Sequence, residues 1–414
     1  MKTIIFSDSV TEESGSPDNP RFLWDLMGRP VLSYALDLAE ALSDQVPAVL
    51  SEGDPSRLRD AFPDRSVDWR ERQGSDVLSQ CADLVEHEDV DPSEPVLFLR
   101  PDTPLVRAGD LKELLACHDG SGASLTLLSG TGEDGFPCTL EEQPDAEAID
   151  AGAQEGDAPP SDVAYATDVG VIRAEALVRA TSGDDLQNSD SYARPALELT
   201  RRLMDEEYGV DVYNENDPAD TVRIRTAEEL SEATERLRKR VLSMLVEQGV
   251  KVLSPAQTYV EPDVNIGKGT VIEPFVVVRN GVEVGANCHL GPFCHLRAGT
   301  ILEDRAEIGN YVETKNSRVG KGTKAKHLSY LGDATLGDDV NIGAGTITAN
   351  YDGTNKHRTT IEDDASTGSN TVLIAPVTMK EGSKTGAGAV VARGQDVEKG
   401  DTVVGVPARR LDSE

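Results

Sequence analysis

Basic residues are scarce in this sequence: 40 Lys and Arg stand against 74 Asp and Glu in 414 residues, a formal net charge of -34. A balance of that sign repels nucleic acid and anionic membrane, and so excludes functions that need a basic face. The acids run through both halves rather than forming one tail, which reads as adaptation to a salt-rich cytoplasm where hydrated carboxylates keep a protein in solution. Cysteine is scarce too. Five of them, an odd number without a CxxC pair, give no disulfide framework and point to reduced thiols. No apolar run is long enough to span a bilayer, and the opening MKTIIFSDS is too short in apolar residues for a signal peptide. A soluble, cytoplasmic protein of two or three domains is expected at this length.

What is present is a rhythm. From Ile266 an aliphatic residue recurs at every sixth position, through Ile272, Val278, Val284, Leu290, Leu296, Leu302 and Ile308. After a slip of one residue it resumes at Val319, Ala325 and Leu331, slips again to Leu336 and Ile342, breaks for thirteen residues over 348–360 and returns at Ile361. A strict short repeat means coils stacked around a shared core, so an insertion must loop outward, and such loops are where stacked-coil proteins place their chemistry. If three six-residue strands make one coil, residues roughly eighteen apart lie above one another on one face. Arg297 and Lys315 have that spacing. Two stacked cations on so acidic a chain repel each other, and an anion between them resolves the repulsion. Cys288, His289, Cys294 and His295 look like a metal cluster, but six-residue spacing puts the two pairs on different faces. The cysteines take the small inward position and read as core.

Residues 1–225 alternate strand and helix patterns. The runs TIIF, VPAVL and EPVLFL read as buried strands, and VLSYALDLAEAL and LKELLACH as helices, which together predict a layered α/β domain with a mainly parallel sheet. The stretch 141–160, rich in Asp, Glu, Ala, Gly and Pro, reads as a surface loop. After the Thr226 cap, Leu230, Ala233, Leu237, Val241 and Leu245 form one stripe, so a connecting helix is expected over 226–250, with the coils over 251–414.

The runs GPFCHLRAGT, IGNYVETKNS, GKGTKAKHLSYLGDA, DDVNIGAGTITANYDGTNKHRTTIED and GSNTVLIAP closely resemble the acetyltransferase domain of the bacterial bifunctional N-acetylglucosamine-1-phosphate uridyltransferase/glucosamine-1-phosphate acetyltransferase family, densely over 291–388. The resemblance implies a nucleotidyltransferase-like (Rossmann-like) α/β domain in front and a left-handed parallel β-helix behind, an exception to the right-handed crossover rule. It also implies a homotrimer with active sites between subunits. By the same resemblance the catalytic base falls on His327. Acetyl transfer from a thioester needs a free amine lone pair, and a histidine titrating near neutral pH can take the proton. Glu313 is its expected orienting carboxylate. Arg297, Lys315, Tyr330 and Asn341 match the residues that hold the sugar phosphate, an arginine fork and a lysine point charge suiting a phosphate dianion. In the insertion, expected to reach across a subunit boundary, Asn350 and Tyr351 match acetyl-CoA contacts and Lys356 matches a further active-site lysine. Ala344, Ser369 and Ala387 match other acetyl-CoA positions, where small side chains let backbone groups approach the pantetheine arm. Gly405 in VVGVPARR stands where the family has an arginine, with Arg409 or Arg410 as replacement contacts for the CoA phosphate.

Over the front domain the match thins to echoes: GRPVL at 28–32, Gln73-Gly74-Ser75, and Asp102 in RPDTPL. In the family a glycine-rich loop with an arginine and a lysine wraps a triphosphate. Here FSDSVTEESGSPDNPRF carries Asp8, Glu12, Glu13 and Asp18 with one base, Arg21, and acid opposes a triphosphate. Asp102 is the candidate magnesium ligand, yet its expected asparagine partner aligns with Arg225, and a cation does not ligate a cation. Asp168 in TDVGV stands for another asparagine. The expectation is acetyl-CoA-dependent N-acetylation of glucosamine-1-phosphate, with magnesium needed only if the front domain is active. The alternatives are a bifunctional enzyme that also transfers uridylyl groups, an acetyltransferase for another amino sugar phosphate, and a non-catalytic assembly subunit. Intact His327, Arg297 and Lys315 weigh against the last.

Overall fold

The computed structural model describes residues 1–6, 15–16, 19–52, 54–72, 77–131, 136–139, 163–182, 195–206, 208–214 and 216–410. The acids Asp8, Glu12, Glu13 and Asp18, the Gln73-Gly74-Ser75 echo and the stretch 141–160 lie outside the described residues. The chain divides into two compact units, Met1–Thr234 and Glu235–Glu414. That division falls inside the helix Ala227–Glu247. Among the described residues no helix is long and apolar enough to cross a membrane.

In the front unit the expected apolar runs pair into an 8-stranded sheet. Its order is Val210–Tyr213, Leu125–Gly130, Val163–Arg173, Pro95–Leu99, Lys2–Phe6, Ala48–Glu52 and Asp68–Arg72, with Phe136–Thr139 beside Val163–Arg173. Pairing is parallel except along Val163–Arg173, which runs antiparallel to its neighbours. Successive side chains point to opposite faces, and both faces are covered, which is why these strands read as continuous apolar runs. Ile4, Leu50 and Phe98 pack with Leu78 and Cys81 of the helix Val77–His87. Ile5, Val49 and Leu97 pack instead with Leu32 and Leu36 of Val31–Leu42 and with Leu111 and Leu114 of Ala108–Ser121.

Thr226 and Glu229 open the helix Ala227–Glu247 as a capping box. Thr226 Oγ1 accepts from the Glu229 N–H at 3.2 Å, and Glu229 Oε2 accepts from the Thr226 N–H at 2.7 Å. Ala233, Leu237, Val241 and Leu245 of the stripe are buried.

The rear unit is a left-handed parallel β-helix. Each turn of chain adds one short strand to each of three parallel sheets. One face stacks His295–Leu296, Glu313–Lys315, Tyr330–Gly332, Ile347–Ala349 and Val372–Ile374. The face before it stacks His289–Leu290, Glu307–Asn310, Lys324–His327 and Asn341–Ile342. The repeating aliphatics, from Ile272 through Leu296 to Ile361, all point inward and are buried. Cys288 and Cys294, 2% and 1% exposed, enter this core just ahead of strands on two different faces. Among the described residues no group of three metal-ligating side chains forms.

Both one-residue slips fall on the same edge, at the corners 315–317 and 332–334, each one residue tighter than the corner at 297–300. Ser317 locks the two together: its Oγ donates to the Leu331 C=O at 3.1 Å and accepts from the Ala334 N–H at 2.9 Å. One coil further on, that edge opens into the insertion. The excursion occupies 350–358, between the strands Ile347–Ala349 and Thr359–Ile361, and is shorter than the expected 348–360. At its start the cause is Thr348, fully buried at an inward position, where its hydroxyl donates to the Gly332 C=O at 3.0 Å and accepts from the Gly332 N–H at 2.8 Å; at its end Thr359 and Thr360 already pair with Ala334 and Thr335. Thr348 breaks an aliphatic pattern without breaking the coil.

Candidate active site

Strand register decides what the outer surface of the Tyr330–Gly332 face presents. Leu296 pairs opposite Thr314 and Lys315 opposite Gly332, so Arg297 and Lys315 stand one coil apart as their spacing requires. Arg297 Nη1 donates to Glu313 Oε1 at 2.7 Å. The insertion brings Lys356 to this place. Its side chain, and after it the Arg297 charge, holds the Lys315 ammonium below the ordinary lysine value. The Tyr330 ring folds back over Gly332, where any Cβ would collide with its hydroxyl, so glycine lets the ring lie along the face in register with Lys315. Three cations and a phenol thus share one patch of an acidic chain, an arrangement that an anion would relieve.

The insertion is internally braced. Tyr351 and Lys356 form an antiparallel bridge. Within it the Asp352 carboxylate accepts from the Asn355 N–H at 2.7 Å and the Thr354 N–H at 2.9 Å, and pairs with His357 Nε2 at 2.6 Å. Those contacts, the Asn355 N–H foremost, hold Asp352 below the ordinary carboxylate range. The His357 N–H donates to the Asn350 C=O at 2.8 Å and closes the neck. Tyr351 remains largely exposed, its hydroxyl donating to the Gly353 C=O.

His327 sits at the other end of the same face, on the edge before the strand Tyr330–Gly332. It is exposed and lies opposite Asn310. Ala344, Ser369 and Ala387 climb that edge. The Gly345 N–H donates to the His327 C=O at 3.3 Å, Asn370 to Ala344 at 2.7 Å and Gly388 to Ser369 at 2.7 Å. Gly368 leaves no room for a Cβ, which would lie 2.5 Å from the Ala387 N, so the coils close up into a smooth small-residue wall. Asn341 is exposed on the adjoining face, opposite Lys324. Gly405, at φ +91°, accepts from the Val390 N–H at 3.1 Å. Arg409 and Arg410 follow on an exposed strand antiparallel to Thr402–Val404, and Arg410 lies 3.3 Å from Asp401.

One chain therefore groups Arg297, Lys315, Tyr330, Asn350, Tyr351 and Lys356 toward one edge, and His327, Ala344, Ser369 and Ala387 along another. The three-residue strand Tyr330–Gly332 lies between the two edges. The expected pairing of Glu313 with His327 is not formed within the chain, because Glu313 is held by Arg297.

In the front unit, Asp102 is fully buried and clasped by arginines. Arg100 Nε donates to it at 3.0 Å, Arg223 Nη2 at 3.0 Å, and Arg21 Nη2 lies 3.3 Å away. Burial alone would raise its pKa, but the three guanidinium charges, Arg100 foremost, hold the carboxyl well below the ordinary range. Magnesium needs several oxygen ligands and its own waters, and this donor set does not fit it. The expected residue opposing the metal is corrected: Arg223 reaches Asp102, whereas Arg225 is turned to Glu229 at 2.7 Å. Asp168 is drawn into the same cluster, accepting from Arg100 Nη1 at 3.3 Å and from the Ala196 N–H at 3.0 Å at the start of the helix Pro195–Asp205.

Sequence reasoning missed the Asp352 hub and Asp333, whose carboxylate accepts from Asn316 Nδ2 at 2.5 Å and from Asn350 Nδ2 at the root of the insertion. Asp333 lies at the second slip in the rhythm, which was the available signal.

Residues 263–298 match the family described as bacterial transferase hexapeptide (six repeats). The chain is 32% identical to Bifunctional protein GlmU of Thermotoga maritima over 414 residues, covering 90% of this chain and 89% of that one. Proteins of the same name from Rubrobacter xylanophilus (31% identical, covering 94% and 89%) and Mycobacterium leprae (32%, covering 95% and 88%) are similar over comparable spans. A crystal structure of 4-diphosphocytidyl-2C-methyl-D-erythritol synthase is similar at 14% identity and a TM-score of 0.39, over 57% of this chain and 97% of that one. With near full-length coverage at this identity, the chain belongs to the GlmU family of bifunctional proteins.

Proposed function

We propose that this protein is an acetyl-CoA-dependent glucosamine-1-phosphate N-acetyltransferase, cytoplasmic and trimeric, serving UDP-N-acetylglucosamine synthesis. The observation that carries this reading is the convergence of Lys315, Lys356 and Arg297, with Tyr330 alongside, on one face of the β-helix. Those cations take the phosphate of the sugar. His327 accepts the proton as the sugar amine attacks the thioester carbonyl carbon, the C–S bond breaks, and the thiolate leaves to be protonated as free CoA. Ala344, Ser369 and Ala387 line the pantetheine arm, and Asn350 and Tyr351 contact acetyl-CoA. In the trimer the sites lie between subunits, with the exposed insertion of one chain reaching toward the His327 edge of the next.

A second reading, that the front unit also transfers uridylyl groups, draws on the printed name of the relatives, which calls them bifunctional. The arginine clasp on Asp102 weighs against it. Both readings are tested by incubating purified protein with glucosamine-1-phosphate, acetyl-CoA, UTP and magnesium from low to molar salt, following free thiol and pyrophosphate separately. Thiol release that needs the amino sugar supports acetyl transfer. Its absence at every salt concentration sinks that reading, and magnesium-dependent pyrophosphate release restores the second.

A further inference from the structure

We propose that Asp333 is a positioning residue for the acetyl-transfer site, seating the root of the insertion on the coil that carries Lys315. The assignment rests on the reading of Lys315, Lys356 and Asn350 given above. Asp333 is 8% exposed and occupies the second tight corner with a left-handed backbone, φ +48°. Its N–H donates to the Lys315 C=O at 3.0 Å, tying it to the coil below. Its C=O accepts from the Thr359 N–H at 3.1 Å, where the insertion returns. Its Oδ2 accepts from Asn350 Nδ2, where the insertion departs, and its Oδ1 from Asn316 Nδ2 at 2.5 Å.

A single residue thus grips both ends of the loop and the corner beneath it. Asn350 passes the restraint on: it is 9% exposed, and its C=O takes the His357 N–H at 2.8 Å. From there the Tyr351–Lys356 bridge carries it to the lysine that meets Lys315. A carboxylate is costly to bury unless its oxygens are hydrogen-bonded. Here both oxygens are used on side-chain amides, one of them at the loop's root. The competing role is charge balance, since Asp333 opposes the effect of Lys356 and Arg297 on Lys315.

The test uses the full-length protein without ligand and then with substrates. Asp333→Gly removes the carboxylate and tolerates the left-handed backbone, which alanine would strain. Asp333→Asn keeps the size and the backbone tolerance and removes the charge. Amide exchange of peptides spanning 350–358 should accelerate about tenfold or more in the glycine variant, as expected when a local opening loses its anchor. Peptides from other coils should be unchanged. The KM values for glucosamine-1-phosphate and acetyl-CoA should both rise about tenfold, the scale of one lost charge-assisted hydrogen bond. Asn350→Ala should reproduce the exchange effect, and combining it with Asp333→Gly should add little, because the two act through one contact.

Unchanged exchange over 350–358, or acceleration spread over all the coils, overturns the proposal. So does an asparagine variant with the loop still protected but KM values matching the glycine variant, since charge would then be what Asp333 supplies. Should the glycine variant fail to fold, the asparagine variant with Asn350→Ala decides by the same exchange comparison. A parent enzyme that acetylates no amino sugar phosphate would end the functional reading and leave the exchange test of Asp333 standing.

Discussion

Lys315 and Lys356, one at the end of a coil strand and the other on the insertion, meet side chain against side chain, and the contact depresses the Lys315 pKa. Like charges disfavour the protonated form, and an anion between them favours it. The sign for binding follows. Lys315 loses its proton at a lower pH than an ordinary lysine, near 10.4, and phosphate binding should reverse that shift. The sugar-phosphate KM is therefore expected to rise with increasing pH earlier than an ordinary lysine would dictate. In Lys356→Ala that alkaline limb should move to higher pH, even as KM increases overall. A pH profile of KM in parent and variant checks this, and an unmoved limb separates Lys315 from phosphate binding.

His327→Ala is expected to reduce acetyl-transfer turnover by about a hundredfold or more, the usual reach of a general base. Its side chain is exposed on an edge and takes no core position, so assembly and unfolding temperature should hold. Steady-state kinetics with size-exclusion chromatography provide the readout, and near-normal turnover would remove the residue from the mechanism.

Arg297→Ala and Lys315→Ala should each raise the KM for the sugar phosphate more than the KM for acetyl-CoA. Glucosamine without its phosphate should be a poor substrate for the parent enzyme. Equal use of the two sugars would count against a phosphate site on this face.

Asp102→Ala should destabilise the front unit by about 3–5 kcal/mol, because it removes the fully buried carboxylate shared by the Arg100, Arg223 and Arg21 guanidinium groups and leaves their charges less compensated. The carboxyl is depressed in the folded state. Its contribution is thus fully present above the unfolded-state pKa near 3.9 and is lost as pH falls below that value. Acid unfolding of the parent should show this loss and the variant should not. Magnesium should leave the unfolding temperature of the front unit unchanged at every salt concentration; a magnesium-dependent rise abolished by Asp102→Ala would show a working metal site.

Cys294 should resist alkylation in the native protein. Burial in the β-helix core pushes its thiol up to about 12, so almost no thiolate is present at neutral pH. Mass spectrometry after iodoacetamide treatment should find it labelled only on denaturation, and native labelling would mean that the coil opens there.

The hexapeptide rhythm was legible because a β-helix core accepts one inward residue per strand, so Leu296, Ile308 and Leu331 announce their own burial. The layered front unit was legible for a similar reason, since Ile4, Leu50 and Phe98 lie in runs buried on both faces. Thr348 escaped because it fills an aliphatic position with a hydroxyl that finds its partners only across coils. The sequence points to Arg225 where the structure has Arg223 on Asp102, because a short-range alignment carries no information on which guanidinium turns inward. That choice is made when the Ile224 N–H donates to the Asp102 C=O and draws the two segments together.

By itself the sequence determined the coils, the edge where they are interrupted and the residue types on the exposed face, because each depends on a local period that a short stretch of chain can express. Only the tertiary structure decided that Lys356 meets Lys315, that Glu313 serves Arg297, and that Asp333 holds both ends of the insertion. These contacts join residues distant in sequence, and their partners are selected by how the coils stack and where the loop returns, which no local pattern encodes.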